Sequence, residues 1–326
     1  MANTNLINDI VLPDSMVHFR NNTVLTNAIG PQYDNTYSDH GAKSGASINL
    51  RTHQLFEVRE DSLEMNVGPV TQKEVTLTKS KIMGIDILYS DAELSQDVNG
   101  FIEYRAKPAM QQLAAKWDYW VNSELYAQVA NCVTLPATAY DADDILDAGT
   151  LLDEESTPAR DRTTMLSPRG NRQLMSSSKE FFNNSTSISK NYDDGLITVP
   201  QLGFDFGTSQ NVATHTNGTQ DGNYVVNTAP SSGDATLSID TGTGTIKKGD
   251  AFQIASTKAV NKLTKVSTGE DRFFVATADS AGGTVTLAID PPMISEGAYQ
   301  NIDALPASGA ALTFMGAQGT TYRQGL

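Results

Sequence analysis

The chain has 326 residues, and its 38 acidic and 23 basic residues give a net charge of −15. Its 39% apolar and 19% charged residues exclude an intrinsically disordered chain and are enough for two or three folded domains. The acidic balance disfavours a tight, sequence-reading DNA-binding protein, because affinity for phosphate comes from clustered lysine and arginine.

The cysteine content and the lack of long apolar runs disfavour further classes of protein. The single cysteine, Cys132, excludes an intramolecular disulfide and a zinc site made of thiolates. No run approaches the ~18 consecutive apolar residues of a membrane-spanning helix. The first ten residues lack a basic patch followed by an apolar run, so we expect no secretory signal and a cytosol-like compartment.

Residues 1–35 are predicted to form an arm rather than a packed domain. Their apolar side chains are thinly spread among asparagines, and Asp14-Ser15 is expected to cap one short helix over Met16–Arg20. Such a segment gains little by packing on itself, so we expect it to need a neighbour. Residues 36–46 are small and polar and are predicted to be a loop.

Alternating apolar residues predict a two-stranded ribbon after this loop. The strands are expected at Ser47–Val58 and Glu74–Tyr89, the second with a bulge or bend at Gly84. A polar, charged segment, Arg59–Lys73, joins them. Because an isolated two-stranded ribbon is marginal in water, we expect it to lie on another surface.

Residues 101–131 give the clearest helical pattern, with apolar residues at steps of three or four. About thirty residues at ~1.5 Å each make a rod of ~45 Å. Pro108 is expected to mark either the true start of this helix or a kink. The side predicted to be buried carries Ile102, Ala106, Leu113, Trp117, Val121 and Leu125.

Shorter elements are predicted next. A helix is expected to begin near Asp143, with Ile145, Leu146, Leu151 and Leu152 as its apolar face. A strand is expected at Thr163–Leu166, followed by a helix that Ser167-Pro168 starts and that runs toward Phe181. Short β signals return over residues 195–214.

From residue 213 to residue 321 the composition becomes rich in threonine and glycine and predicts an all-β module, a small barrel or sandwich. The lysine-bearing segment Thr241–Gly249 lacks the order of a phosphate-binding loop, and we interpret it as a hairpin turn. The six predicted strands are Tyr224–Val226, Ala235–Ile239, Ala251–Ile254, Phe273–Ala276, Val285–Ile289 and Ala310–Phe314.

No motif for catalysis or metal binding is present in the sequence. The four histidines, His18, His40, His53 and His215, lie at no metal-binding spacing and are expected to be surface or turn residues. The acidic run Asp141–Asp147 fails the EF-hand pattern, since Ile145 and a missing glycine interrupt it, so we expect helix capping instead. Cys132 is expected to be a small buried residue rather than a nucleophile. We therefore expect no enzyme activity and no cofactor.

Several stretches, taken together and in order, carry a resemblance to a known family. They are Ser47–Arg51, Val75–Thr78 and Met83–Tyr89; Phe101–Ala114; Arg162–Pro168 with Leu196–Asn217; and Ile246–Ile254 with Ala259–Asn261, Pro291–Ile294 and Gly297–Asn301. In this order they resemble the major capsid proteins of tailed bacteriophages with the Hong Kong 97 type fold. The last group is similar to the podovirus-type coat protein branch, which carries an inserted β-barrel.

The resemblance implies an α+β phage capsid fold with an N-terminal arm, an extended two-stranded loop, a long spine helix and an α/β body, plus an inserted all-β, barrel-like domain. Family members continue after the barrel, so the resemblance also implies that the chain is truncated after Leu326. The implied parts are the arm 1–35, the extended loop with peripheral strands 36–90, the spine helix 91–135, the axial α/β region 136–212, the inserted domain 213–321 and the start of a return segment 322–326.

The implied function is self-assembly into the icosahedral head shell that encloses the double-stranded DNA of a tailed phage. The implied partners are other copies of the chain, in hexamers and pentamers, together with a scaffolding protein and a portal. Packaged DNA would be contacted weakly and without sequence preference, and no membrane is involved. The implied location is the virion, with assembly in the host cytoplasm.

The charged tip of the ribbon is predicted to contact a neighbouring subunit. Its few apolar residues cannot form a core of their own, so contacts with another subunit would supply the missing burial. The residues predicted to make these contacts are Arg51, Arg59, Glu60, Asp61, Glu64 and Lys73.

Two functions from other classes remain as alternatives. A β-rich surface adhesin or fibre component would fit the threonine- and glycine-rich region, although the long helix and the missing secretory signal argue against it. A hydrolase with carboxylate catalysis is permitted by the many aspartates, but no arrangement of residues supports it.

Overall fold

A computed structural model of the chain describes residues 4–28, 47–52, 54–56, 74–78, 80–87, 98–133, 141–177 and 202–323. The chain divides into two compact units, Met1–Trp117 and Asp118–Leu326. Helices and strands occur in both, in keeping with the predicted mixture of α and β structure.

In the first unit, helix α1 spans Thr4–Asn22 and helix α2 spans Leu25–Ala28. The prediction of one short helix over residues 16–20 was wrong, because α1 begins twelve residues earlier and contains Pro13. The cap expected at Asp14-Ser15 therefore lies inside a helix. Leu25 is buried, so this segment does bury part of its surface.

Two short strands form the predicted ribbon. Strand β1 (Ser47–Arg51) pairs antiparallel with β2 (Glu74–Thr78), and Arg51 lies opposite Glu74. Both strands are shorter than expected, because residues 54–56 and 80–87 have no strand structure. The apolar alternation at Ile85 and Ile87 had suggested that the strand continues past Gly84, but Ile85 is exposed. The connecting segment 57–73 lies outside the described residues.

The long helical segment is confirmed. Helix α3 (Val98–Phe101) leads into a π-helical turn (Ile102–Ala106), helix α4 (Lys107–Leu125) and a 3₁₀ turn (Tyr126–Gln128). The N–H of Lys107 donates to the carbonyl of Ile102, five residues back. Pro108 follows directly and has no N–H to offer the helix, so the irregular turn lies where a proline disrupts the regular ladder.

The buried face of α4 differs from the predicted one. Leu113, Trp117, Val121 and Leu125 are only half-buried, whereas Ala114, Asp118 and Asn122, spaced four apart, are almost fully buried. The hydrophobic pattern predicted the wrong centre for this face because it counted only apolar residues. Ile102 and Ala106 are buried as expected.

In the second unit, helix α5 spans Ala142–Glu154 and begins with the predicted carboxylate cap. Asp141 accepts hydrogen bonds from the N–H groups of Asp143 and Asp144, and Asp144 accepts one from the N–H of Asp141. Of the predicted apolar face, Ile145 is buried, but Leu146 is 48% exposed. Ile145 packs in a small core with Leu166, Leu174 and Phe204.

The predicted strand and the helix after it are confirmed. Strand β3 (Thr163–Leu166) pairs parallel with β4 (Asp205–Thr208). The hydroxyl of Ser167 accepts a hydrogen bond from the N–H of Gly170 at the start of helix α6 (Pro168–Ser177). The predicted continuation of this helix to residue 181 lies outside the described residues.

Residues 214–323 are called the β-module here and contain eight strands. All six predicted strands of this region are confirmed, and a core that includes Tyr224, Phe252 and Phe274 lies between them. The strands are β5 (Thr214–Thr216), β6 (Val225–Thr228), β7 (Asp234–Asp240), β8 (Ala251–Val260), β9 (Ser267–Ala276), β10 (Val285–Met293), β11 (Leu312–Phe314) and β12 (Thr321–Arg323).

Six of these strands form one antiparallel sheet in the order β11-β8-β9-β10-β7-β6. Strands β7 and β8 are not neighbours, so the interpretation of residues 241–249 as a hairpin turn was wrong, and this segment crosses between distant strands. Backbone hydrogen bonds also link the regions of the two outermost strands, β6 and β11. The N–H of Val226 donates to the carbonyl of Ala310, and the N–H of Leu312 donates to the carbonyl of Tyr224, both at 2.9 Å. The two remaining strands, β5 and β12, pair with each other.

Candidate functional site: the junction of α5 and the 3₁₀ turn with the β-module

The carboxylate of Asp250, just before β8, lies at the centre of a buried polar network in the second unit. This residue is 2% exposed. Its Oδ2 accepts hydrogen bonds from the N–H groups of Gly218 at 3.0 Å and Lys247 at 2.9 Å, and its Oδ1 lies 2.7 Å from Nε2 of His215. A buried carboxylate is tolerated when several donors surround it. Asp250 therefore holds strand β5, the segment after it and the crossover before β8 together.

His215 connects this carboxylate to the 3₁₀ turn. It lies in β5, and its ring centroid is 5.3 Å from that of Tyr126. The expectation that every histidine is a surface or turn residue was wrong for His215, which is buried. No motif could identify this pair, because Asp250 is 35 residues away in sequence. His18 is partly exposed beside Asp14, and His40 and His53 lie outside the described residues.

A cluster of charged groups joins the C-terminal end of α5 to strands β8 and β9. The carboxylate of Glu155 pairs with Nη1 of Arg272 in β9 and lies 2.7 Å from Nζ of Lys262, just after β8. The side-chain amide of Asn261 donates to the carbonyl of Glu154 at 3.3 Å. Arg272 is buried and Glu155 nearly so, whereas Lys262 is exposed. We call Glu155, Lys262 and Arg272 the junction cluster.

Neighbouring carboxyl groups of this region have pKa values shifted in opposite directions. Burial raises the pKa of Glu155, but the hydrogen bond from Lys262 and the charge of Arg272 outweigh it, so its pKa lies below the ordinary value. The pKa of Glu154 is raised by burial and by the negative charges of Glu270 and Glu155. Ionised Glu155 thus stabilises the fold, whereas ionised Glu154 opposes it.

Replacing Glu155 with glutamine is expected to lower the free energy of unfolding at pH 7 by about 2–4 kcal/mol, because it leaves buried Arg272 without a charged partner. A lowered pKa means that this stabilisation is present above the unfolded value, near 4.5, and is lost as the pH falls through the folded value. The unfolding free energies of wild type and variant, measured with urea, should therefore differ at pH 7 and converge as the pH falls from 4.5 through the lowered folded pKa.

The matched control for this prediction is Glu124→Gln. Glu124 lies 3.3 Å from Nζ of Lys248, but both side chains are more than two-fifths exposed, so the pair should contribute ~0–1 kcal/mol. Equal losses in the two variants, or a loss in Glu155→Gln that does not change with pH, would contradict the assignment.

A groove of about 460 Å³ lies beside His215, lined by α5, β3, β5, β12 and the 3₁₀ turn. Cys132 lines it, and burial raises the pKa of this thiol, which disfavours the reactive thiolate.

Among the residues that the structure describes, no group of three His, Cys, Asp or Glu side chains could hold a metal ion. Within the same residues, no helix is both long enough and apolar enough to cross a bilayer.

Of the predicted intersubunit contacts, the structure places one. Arg51 is exposed at the end of β1, opposite the exposed Glu74. The other five, Arg59, Glu60, Asp61, Glu64 and Lys73, lie outside the described residues, so this set remains a prediction.

Comparison with known proteins gives one match over nearly the whole chain. The model of the family described as "P22 coat protein - gene protein 5" matches residues 7–323. A search of curated proteins gave no match.

Three solved structures are similar to parts of the chain. "CUS-3 coat protein I-domain" is 26% identical over 28% of this chain and 95% of its own, with a TM-score of 0.23. A structure from Mycobacterium phage Che8 is 17% identical over 82% and 85% of the two chains, with a TM-score of 0.43. "Capsid structure of the Cyanophage P-SCSP1u" is 11% identical over 76% and 80%, with a TM-score of 0.38.

Proposed function

Because the chain belongs to the P22 coat protein family, whose model covers residues 7–323, we propose that it builds an icosahedral shell of hexamers and pentamers around double-stranded DNA. Family membership makes it a major capsid protein that forms the phage head shell, a structural component of the virion. This single observation carries the assignment and favours it over the adhesin alternative.

The finer features of assembly belong to the proposal. A scaffolding protein and a portal are proposed partners, and the host cytoplasm is the proposed site of assembly. A net charge of −15 supports weak, non-specific contact with packaged DNA, since DNA would repel most of such a surface. No catalytic step and no cofactor form part of the proposed function.

We further propose that the β-module is the inserted, barrel-like domain of this coat protein. The hydrogen bonds between Val226 and Ala310 and between Leu312 and Tyr224 support a sheet whose outer strands meet. The pairing of β5 with β12 brings the two ends of the module side by side, as an insertion into another domain requires. The remaining proposed parts are the arm 1–35, the extended loop 36–90, the spine helix 91–135 and the axial region 136–212.

The ribbon of β1 and β2 is proposed to lie on a neighbouring subunit. It has two strands, and its neighbourhood exposes large apolar side chains, with Val75 50% and Ile82 77% exposed. Two strands alone are marginal in water, so a second surface must supply burial. Mixed charges, such as Arg51 opposite Glu74, would set the orientation of the contact more than its strength.

The test removes the connecting segment and keeps the strands. Deleting residues 61–72 should leave soluble, largely folded subunits that fail to form closed shells, measured by circular dichroism and electron microscopy. The double variant Val75→Asp/Ile82→Asp should act in the same way, because it places charges on the proposed contact.

The control is Leu202→Asp, which alters an exposed leucine of the second unit and should assemble normally. Normal shells from the deletion and from the double variant would contradict the role of the ribbon. Unfolded subunits would show instead that the ribbon packs within its own chain.

A further inference from the structure

A small cavity of about 20 Å³ lies beside the junction cluster, between the C-terminal end of α5 and strands β8 and β9. Asn131, which follows the 3₁₀ turn, completes its wall, and Leu151, Ala259 and Phe273 supply apolar lining. About 10–15 Å³ is enough for one water molecule. The cavity therefore has room for a ligand of the size of water and for nothing larger.

The guanidinium group of Arg272 brings a buried hydrogen-bond donor to this cavity. Arg272 is only 6% exposed, and its Nη1 donates to the carboxylate of Glu155. Its Nε is also buried, and among the residues that the structure describes this atom has no hydrogen-bond partner. A buried donor without a partner costs stability, so a molecule in the cavity should accept a hydrogen bond from Nε.

The charges around the cavity favour a neutral ligand. Its lining includes four carboxylates, those of Glu154, Glu155, Glu270 and Asp271. Burial and the charges of Glu270 and Glu155 raise the pKa of Glu154, so a further negative charge would be unfavourable here. The charge of Arg272 opposes a cation in turn. Water is neutral and can both accept and donate hydrogen bonds.

We propose that the cavity is the binding site of one structural water molecule, which accepts a hydrogen bond from Nε of Arg272. The carboxylates of Glu154 and Glu155 and the side-chain oxygen of Asn131 are the acceptors in its wall to which this water can donate. Buried water molecules make about three hydrogen bonds each, and this set supplies enough partners. The water completes the polar contact between α5 and β9 within one subunit, so the site does not depend on shell assembly.

The direct test is a crystal structure of the full chain at a resolution that shows ordered water. It should show one water molecule in this cavity, ~2.7–3.2 Å from Nε of Arg272. A cavity without density, or an Nε that donates to a protein atom, would overturn the proposal.

A test in solution fills the cavity with the variant Ala259→Val. Added methyl groups should displace the water and leave Nε of Arg272 without a partner, so the urea midpoint should fall. Filling a cavity that holds no water would leave the midpoint unchanged or raise it, because cavity filling is stabilising. Either of these two results would overturn the proposal.

The control for overpacking repeats Ala259→Val in an Arg272→Lys background. Lysine keeps a positive charge for Glu155 but has no Nε–H group. The fall in midpoint caused by Ala259→Val should there be at most about half as large, since the two positions act through the same water. Equal falls in the two backgrounds would mean that valine only overpacks the site, and would overturn the proposal. If the Arg272→Lys chain does not fold, the density in the wild-type cavity decides.

Discussion

The variant Asp250→Asn is expected to lose about 3–5 kcal/mol of unfolding free energy, measured by urea denaturation followed by circular dichroism. The Asp250 carboxylate is buried and receives hydrogen bonds from Gly218 and Lys247 beside His215. An amide of the same shape has only one acceptor oxygen. With that oxygen facing Gly218 and Lys247, its NH₂ group faces Nε2 of His215, which can accept only as the other ring tautomer. The hydrogen bonds to an ionised carboxylate are then replaced by weaker ones to a neutral amide.

The matched control is Asp279→Asn, which makes the same chemical change at an exposed position. The Asp279 carboxylate accepts one hydrogen bond, from the N–H of Lys248 at 2.7 Å. We expect a loss of less than about 1 kcal/mol there, since water can replace the partner. Losses of similar size at the two positions would mean that the network around Asp250 does not hold the β-module together.

Gly218→Ala is expected to destabilise the chain by about 3 kcal/mol or more. A Cβ atom on Gly218 would overlap the backbone carbonyl of Thr245 and lie 2.9 Å from Oδ2 of Asp250. The backbone of Thr245 cannot move aside as the end of a flexible side chain can. The segments that contain Gly218 and Thr245 would therefore have to separate. Their separation would weaken the hydrogen bond from Gly218 to Asp250 as well.

Gly149→Ala provides the opposite expectation. Gly149 lies inside α5, and its added Cβ would meet the ring of Phe204 at 3.5 Å, an ordinary contact. Alanine is favoured over glycine in a helix by about 1 kcal/mol, so this variant should be neutral or slightly stabilised. If Gly218→Ala unfolds at the same urea concentration as Gly149→Ala, the close approach of residues 218 and 245 is wrong.

Helices and strands whose formation depends on a few neighbouring residues were predictable from the sequence. Six of the eight strands of the β-module follow short apolar runs separated by glycine-rich turns. The cap at Asp141 follows the preference of carboxylates for helix N-termini. The start of α6 follows the serine-proline signal at residues 167–168. Each of these needs information from only a few neighbouring residues.

The junction was not predictable, because it depends on residues distant in sequence. His215 meets Asp250 across 35 residues, and Arg272 meets Glu155 across 117. The crossover at 241–249 resembles a hairpin turn locally, and only the strand order excludes that interpretation. The buried face of α4 was predicted wrongly because a pattern of apolar residues gives no weight to Asp118 and Asn122, which are buried despite their polarity.

Electron microscopy of the overexpressed full chain, purified by sedimentation, tests the central assignment most directly. A coat protein of this family should give closed shells of uniform diameter with hexamers and pentamers in their surface. Only monomers or small oligomers at the same protein concentration would contradict the assignment.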